Sequence, residues 1–492
     1  MARIRTFGTA TIAALFFAAA GARADVTAEG VWQGLVDYYS DMGQQITTGP
    51  KGMQGDTLVV QDVVVATGAP DARSEARIAE IRLRNMGDGR VEITMSDNVE
   101  IGVDARPKGG EQLRSDMTLG NDGLVIIASG SPEDTRYDFT ADALRFGMDG
   151  MAIDGKPAGT ELSATLRELQ GAAQMTSGAA RSLASNFTAA ALDFEFGIAD
   201  KDNRTSGSGS LTGLAGQANT SMPQGADMQD VAAALRAGLA ADGSLTYAGG
   251  SSVFDVVTPQ GTTNVRSSGG EGRFDYGISA EGMRYAVTGG AAETTIRASA
   301  FPVPIRIALA GSGFGLQLPT TASDQAQPFA LNVKLAELSV SDEIWAMFDP
   351  GSNLPRDPIT LVVDLAGTAK LAIDLMSPAA ERRAAPPGEL RSLDINALNL
   401  SAAGAALDGS GALTFDNSLG KPMPVGIVRL ALEGGMALID NIVKAGFLPA
   451  DQAAGVKMML SLYAVPEGED RLKTEIEFRQ GGEVYANGQR IK

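Results

Sequence analysis

The chain contains no cysteine and no histidine, and only 5% of its residues are aromatic. Without imidazole there is no Ser-His-Asp triad, no histidine general base and no imidazole metal ligand. Without a thiol there is no cysteine nucleophile, zinc–thiolate site or iron–sulfur cluster. The chemistry left open is Ser–Lys, paired carboxylates and oxygen-ligated cations. No catalytic residue, cofactor site or metal-ligand set is marked, so the expectation is a protein that is not an enzyme and carries no cofactor. Long apolar runs are also missing. Residues 7–20 are apolar, but a bilayer span needs roughly 20 residues. Later apolar stretches are interrupted, by Asp230, Arg236 and Asp242 in one and by Arg429, Glu433 and Asp440 in another. The mature chain is therefore expected to have no transmembrane span.

What is present begins at the N-terminus. Arg3 and Arg5 precede the apolar run, and Gly21-Ala22-Arg23-Ala24 and Asp25 follow it. That is the layout of a secretory signal peptide cleaved between Ala24 and Asp25. Removing Arg3, Arg5 and Arg23 takes the net charge from −19 to −22 and leaves 468 of 492 residues. Charge this negative repels nucleic acid phosphate, so no nucleic acid partner is expected. Asp25 stands where a lipoprotein would need cysteine. An exported chain of this size without disulfides points to a bacterial periplasm and a large buried surface.

The 60 glycines punctuate short stretches with two-residue periodicity. Leu472, Thr474, Ile476 and Phe478 alternate with charged residues before Gln480-Gly481-Gly482, which predicts a C-terminal hairpin. Ile81 and Leu83 turn at Gly87-Asp88-Gly89 into Val91, Ile93 and Met95. Leu245 to Tyr247, Val253 to Val257 and the turn at Pro259-Gln260-Gly261 read as a meander. Leu361 to Leu365 and Leu371 to Leu375 read as strands joined by a turn near Gly367. Leu162 to Ala191 is read as strand. Helices are few. Val31, Trp32, Leu35, Tyr39, Met42 and Ile46 make one helical face. Asp227 is read as capping a second helix that carries Met228, Val231, Leu235 and Leu239 and ends before Gly243. Met436, Ile439, Ile442 and Val443 make a third, and Pro449 opens a fourth with Val456, Met459, Leu460 and Tyr463. The fold class expected is mainly β, α+β, with large curved antiparallel sheets and a few amphipathic helices. Gly207-Ser208-Gly209-Ser210, Pro223-Gln224-Gly225 and the Pro-rich stretch after Ser377 suggest divisions. The regions are 1–24 (signal), 25–222 (β-rich with a leading helix), 223–376 (helix plus meander) and 377–492 (helical hairpin plus β-hairpin).

Three short motifs read as structure. Ser418-Leu419-Gly420-Lys421 matches S-x-x-K, but Gly420 and Pro422 break the helix that motif needs. Asp200-Lys201-Asp202-Asn203 starts like a calcium loop and departs from it at Arg204 and Thr205, so it reads as a hairpin tip. Gly311-Ser312-Gly313-Phe314-Gly315 reads as a bent strand. One echo links two segments: Arg136-Tyr137-Asp138-Phe139 before Arg145-Phe146, and Arg273-Phe274-Asp275-Tyr276 before Arg284-Tyr285. Aromatics two apart share a strand face.

The densest unusual segment surrounds Trp345. Ile344, Trp345 and Phe348 share a hydrophobic side, Asp349-Pro350-Gly351 turns, and Leu354-Pro355-Arg356-Asp357-Pro358 leads into a strand. Trp345, Phe348, Asp349, Arg356 and Asp357 are the candidate ligand or partner corner, weighed against a helix cap and turn in which Arg356 bonds an oxygen. These residues resemble a signature of an uncharacterised bacterial family, domain of unknown function 2125. The segments 304–318 and 484–490 are similar to it as well, and the resemblance extends over most of the mature chain. It implies a Gram-negative periplasmic protein without assigned activity. Many relatives look anchored at the N-terminus, whereas Ala22-Arg23-Ala24 here implies cleavage.

The expected function is non-catalytic: an envelope protein that binds an apolar, lipid-like ligand on a concave sheet. The alternatives are a scaffold that docks another envelope protein, an outer-membrane β-barrel and a carboxylate-based hydrolase.

Overall fold

The computed structural model describes residues 26–41, 43–69, 72–106, 110–178, 180–226, 230–377, 380, 387–418 and 420–492. Arg3, Arg5, the apolar run and the Ala24, Asp25 cleavage site lie outside them. Strand makes up 64% and helix 12% of the chain. The strands pair antiparallel in a single sheet, so the fold is mainly β with a few helices. Among the described residues no ladder joins the first strands to the last, so the sheet stays open.

Asp134–Ile153, Thr160–Thr176, Ala180–Asp200 and Asn203–Pro223 are long strands, each paired with the next. Beyond them the sheet divides. One half of Asn203–Pro223 pairs with Ala240–Tyr247 and the other with Gly249–Thr258. The first ribbon continues through Gly272–Ile278, Met283–Gly289 and Gly311–Leu318. The second runs through Gly261–Gly269, Ala292–Ala298 and Ile305–Leu309. Both rejoin on Gln327–Val340. The sheet then continues as Ile359–Leu371, Gly388–Ala402, Ala405–Asp416, Met423–Glu433 and Arg471–Phe478. Pairs such as Ser221↔Ala240 and Leu371↔Gly388 carry the ladder to both ends of the connections that composition suggested as divisions.

The long strands are creased. In Thr57–Ala69 the residues that join the core under the leading helix are Leu58 and Val60, then Val63, so the core-facing position changes from even to odd, while Val59 is buried outside that cluster. Asp62, between them, has φ 48°. Glu168 (φ 52°) and Gly213 (φ 61°) stand at matching gaps in the pairing, across which the register is kept, and Glu337 (φ 52°) stands at a shift of register. A left-handed residue of this kind bends its strand and steps the alternation by one, so that apolar side chains on both sides of it share a face. Both arms of the crease thus keep their apolar residues on one side.

Several expectations need correcting. Ala240–Tyr247 does not pair with Gly249–Thr258; the two are neighbours along one partner strand, and the hairpin begins only at Pro259-Gln260. Gly367 is not a turn but mid-strand in Ile359–Leu371, where a Cβ would strike the Phe329 ring. Gly207 and Gly209 are likewise mid-strand, under the rings of Phe196, Phe254 and Phe194. Glycine lets an aromatic ring from the neighbouring strand lie flat on the backbone, and composition alone reads the same residues as a linker. The N-terminal helix is Ala28–Asp41 and stops before Ile46, which lies in strand Gln45–Thr47. The second helix is short, Val231–Arg236, and is capped by Asp230 through Ala233 N–H (3.0 Å). Gly243 belongs to the following strand, and Asp227 and Met228 lie outside the described residues.

Leu371 to Leu375 is not a strand: Ile359–Leu371 ends there, and residues 372–375 lie outside any strand. The other elements stand as read. Leu162 to Ala191 is strand, and Gly311–Leu318 is a strand. The C-terminal hairpin pairs Phe478 with Val484 across Gln480–Gly482. The helices Gly435–Lys444 and Ala450–Tyr463 are present, with Pro449 as the N-cap of the second.

The core sits at the N-terminal end. Val31, Trp32 and Leu35 of the leading helix pack on Leu83, Ile93, Ile126, Tyr137 and Phe139 from one arm and on Ile78 and Val99 from the other. The helix therefore lies over the apolar side of the crease and fills it.

Candidate apolar binding face

Directly opposed residues of an antiparallel pair project to the same face, so register traces a face strand by strand. From the core, Phe139 opposes Gly171, Gly171 opposes Phe187 and Phe187 opposes Gly216. The same face continues as Leu245, Phe274, Val287, Phe314, Val333, Val363 and Leu398. A neighbouring row runs Tyr276, Tyr285, Leu316, Leu331, Leu365 and Ile395. On the second ribbon the row is Phe196, Gly207, Phe254, Val265, Ile296 and Ile305. The rings on this face touch: Phe274 lies 5.8 Å from Tyr276 and 5.1 Å from Tyr285, and Tyr285 lies 6.2 Å from Phe314. The opposite face carries Arg273, Asp275, Arg284, Asn332, Lys334 and Asp364, with side-chain ties such as Arg273–Asp275 (2.5 Å).

The stripe is continuous but unevenly covered. Between residues 240 and 370 no valine, leucine, isoleucine, methionine or aromatic side chain is buried. Tyr285 and Phe314 are each about two-fifths exposed, although their faces are apolar. The open stretch, from Ala240–Tyr247 to Gly388–Ala402, crosses seven strands on the first-ribbon side. At about 4.8 Å between strands it is roughly 30 Å long. At one rim the short helix buries Leu235 and Leu239 against Ile278 and Met376. Arg236 secures that helix by pairing with Asp374 (2.5 Å), whose carboxylate also accepts from Ala322 N–H (2.7 Å). At the far end the helix Gly435–Lys444 begins against Leu432, and Asp470 accepts from Met436 N–H (2.8 Å) and Ala437 N–H (2.9 Å) to cap it.

The aromatic echo found one part of this stripe. In both copies an Arg–Asp pair at 2.5 Å occupies the polar face and the two aromatics share the apolar one. Tyr137 and Phe139 are buried, while Phe274 and Tyr276 are only partly covered. The second halves of the echo do not correspond. Phe146 follows in the same strand beyond the bulge, whereas Tyr285 is on the adjacent strand.

The corner at Trp345 lies apart, on the connection from Gln327–Val340 to Ile359–Leu371. Helix Asp342–Phe348 carries Trp345, half-buried, and Phe348, exposed. Asp349 is covered and accepts from Leu354 N–H (2.7 Å) and Asn353 Nδ2 (2.9 Å). The Leu354 N–H, then Asn353, holds its carboxyl below the usual carboxylate range. Arg356 pairs with Asp342 (2.9 Å), and Asp357 is exposed. The geometry is that of a cap and turn. Ser418 lies in a turn after Ala405–Asp416, its N–H on the Asp416 carboxylate (2.9 Å). Lys201 and Asp202 are the exposed tip of a hairpin closed by Asp200↔Asn203. Among the described residues no three acids stand close enough to hold a metal ion.

None of the described helices is long and apolar enough to cross a membrane, which says nothing about strands. No curated protein matches the chain. Among solved structures, the alcaligin outer membrane receptor FauA from Bordetella pertussis aligns over 90% of this chain and 69% of its own. Identity is 9% and the TM-score 0.17, so the likeness carries no argument. A family model matches residues 233–488, a narrower span than most of the mature chain, and covers the open stripe and the Trp345 corner. With just over half of its length matched, the chain belongs to the family described as an uncharacterized protein conserved in bacteria, DUF2125.

Proposed function

We propose that this is an exported periplasmic protein that holds an apolar, lipid-like ligand on the open stretch of its apolar face and catalyses no reaction. The observation that supports this is the continuity of one face: the stripe that forms the core under the leading helix runs on for roughly 30 Å over which, among the described residues, its large apolar side chains are not buried. Uncovered apolar area of this extent usually marks an interaction site. An acyl chain fits its length, since one leaflet of a bilayer is about 15 Å deep. Native mass spectrometry of protein purified from the envelope tests it. Bound lipid is expected, with loss of that lipid on Leu316→Arg or Val333→Arg and little change in melting temperature. A bare chain, unchanged in mass by delipidation, would refute lipid carriage.

A second reading, a scaffold for another polypeptide, draws on a different observation. The chain's own helix Ala28–Asp41 already occupies this face at the N-terminal end. A stoichiometric polypeptide in the same spectra, in place of lipid, would favour it.

A further inference from the structure

The C-terminal helical pair carries a second apolar surface, separate from the stripe. Phe447, in the turn between the helices, is 56% exposed, and Met458 on the second helix is 68% exposed. Val456, Met459, Leu462 and Val465 are exposed beside them. At 100° per residue, Val456, Met458, Met459 and Leu462 cover about 160° of the circumference in the second half of the helix, an arc that holds exposed Asp451 and Gln452 in its first turn. The opposite side holds Ala453, buried, and Leu460, half-buried. The surface is convex: a turn tip and the outer side of one helix.

Its charges balance. From Asp440 to Pro466 the only charged residues are Asp440, Lys444, Asp451 and Lys457, which sum to zero in a chain of net charge −19. Asp440 and Lys457 pair with each other across the two helices (2.6 Å). The stretch itself therefore adds no net repulsion toward anionic headgroups, although Glu467 and Glu469 follow it. A partner protein would meet a convex apolar patch with a groove, whereas a bilayer accepts it without one. Flexible methionines suit insertion among acyl chains.

We propose that the outer side of helix Ala450–Tyr463 with Phe447 is a membrane-docking surface, its partner the lipid bilayer. The inference does not rest on what the stripe carries. Docked this way, the chain would meet the bilayer at the C-terminal end of the sheet, where Met423–Glu433 leads into the helices.

The test is flotation of the secreted form, Asp25–Lys492, with vesicles of phosphatidylethanolamine and a minor fraction of phosphatidylglycerol. The wild-type chain is expected to float. M458E/L462E is expected to lose about tenfold in partitioning, since each buried side chain contributes apolar transfer energy, while its melting temperature is unchanged. L316R, on the stripe, should float like wild type, so failure of the lipid-carriage reading and of this one are told apart. A wild-type chain that stays with the protein fraction, or an M458E/L462E variant that floats equally well, overturns the proposal. So does a chain that ignores vesicles but loses self-association in M458E/L462E, which would make the patch a protein contact.

Discussion

Residues 26–187 and residues 240–370 use one sheet and one apolar face to different ends. In the first region Trp32 and its helix neighbours close the crease and bury Leu83, Ile93 and Tyr137. In the second the same face offers Phe274, Tyr285, Phe314 and Leu331, none of which any described element buries. The residue types hardly differ between the two. What differs is whether a helix covers them, so apolar patterning specifies which side of a strand seeks cover but not what supplies it.

That contrast can be tested by mutation, and the largest effect should fall in the covered region. Trp32→Ala is expected to cost about 3–5 kcal/mol, because it empties a filled core. Phe314→Ala should cost under about 1 kcal/mol, because less contact is lost at a half-open site. Equal shifts in denaturant midpoint for the two would abolish the distinction between the regions. At the boundary, Gly216→Ala sets a methyl against the Phe187 ring. It should cost about 1–3 kcal/mol by overpacking, and a variant as stable as wild type would show that the ring yields. The smallest effect concerns the Trp345 corner. Asp349 has its carboxyl lowered by Leu354 N–H, so its contribution is present above the unfolded-state value and is lost as pH falls through the folded one. Asp349→Asn should therefore lower stability most at neutral pH, by an amount that shrinks as pH falls, so that the acid limb of stability against pH is flattened. An unchanged acid limb would mean that the turn draws nothing from the charge.

Much of the fold was legible because strands half-exposed to water alternate with a period of two. The hairpins at Gly87-Asp88-Gly89 and Gln480–Gly482 and the C-terminal helices followed from local chemistry alone. The errors came where glycine has two meanings. At Gly367 and Gly207 it admits a ring from the next strand, and a single chain does not display its cross-strand partner. The candidate site was the least legible. Trp345, Phe348, Asp349, Arg356 and Asp357 stood out by composition and form a cap and turn. The open stripe is assembled from residues as far apart as Leu245 and Leu398, and only the Phe274 echo hinted at it.

The sequence by itself determined that this chain makes strands, because alternation and turn residues act over a few neighbouring positions. It also excluded imidazole and thiol chemistry, since those groups are absent. Only the tertiary structure decided that the apolar residues of distant strands share one face. That depends on register and on the left-handed residues Asp62, Glu168, Gly213 and Glu337, which step the alternation by one at the crease. It also decided which part of the face is covered, because burial belongs to two surfaces in contact and no single strand encodes the second.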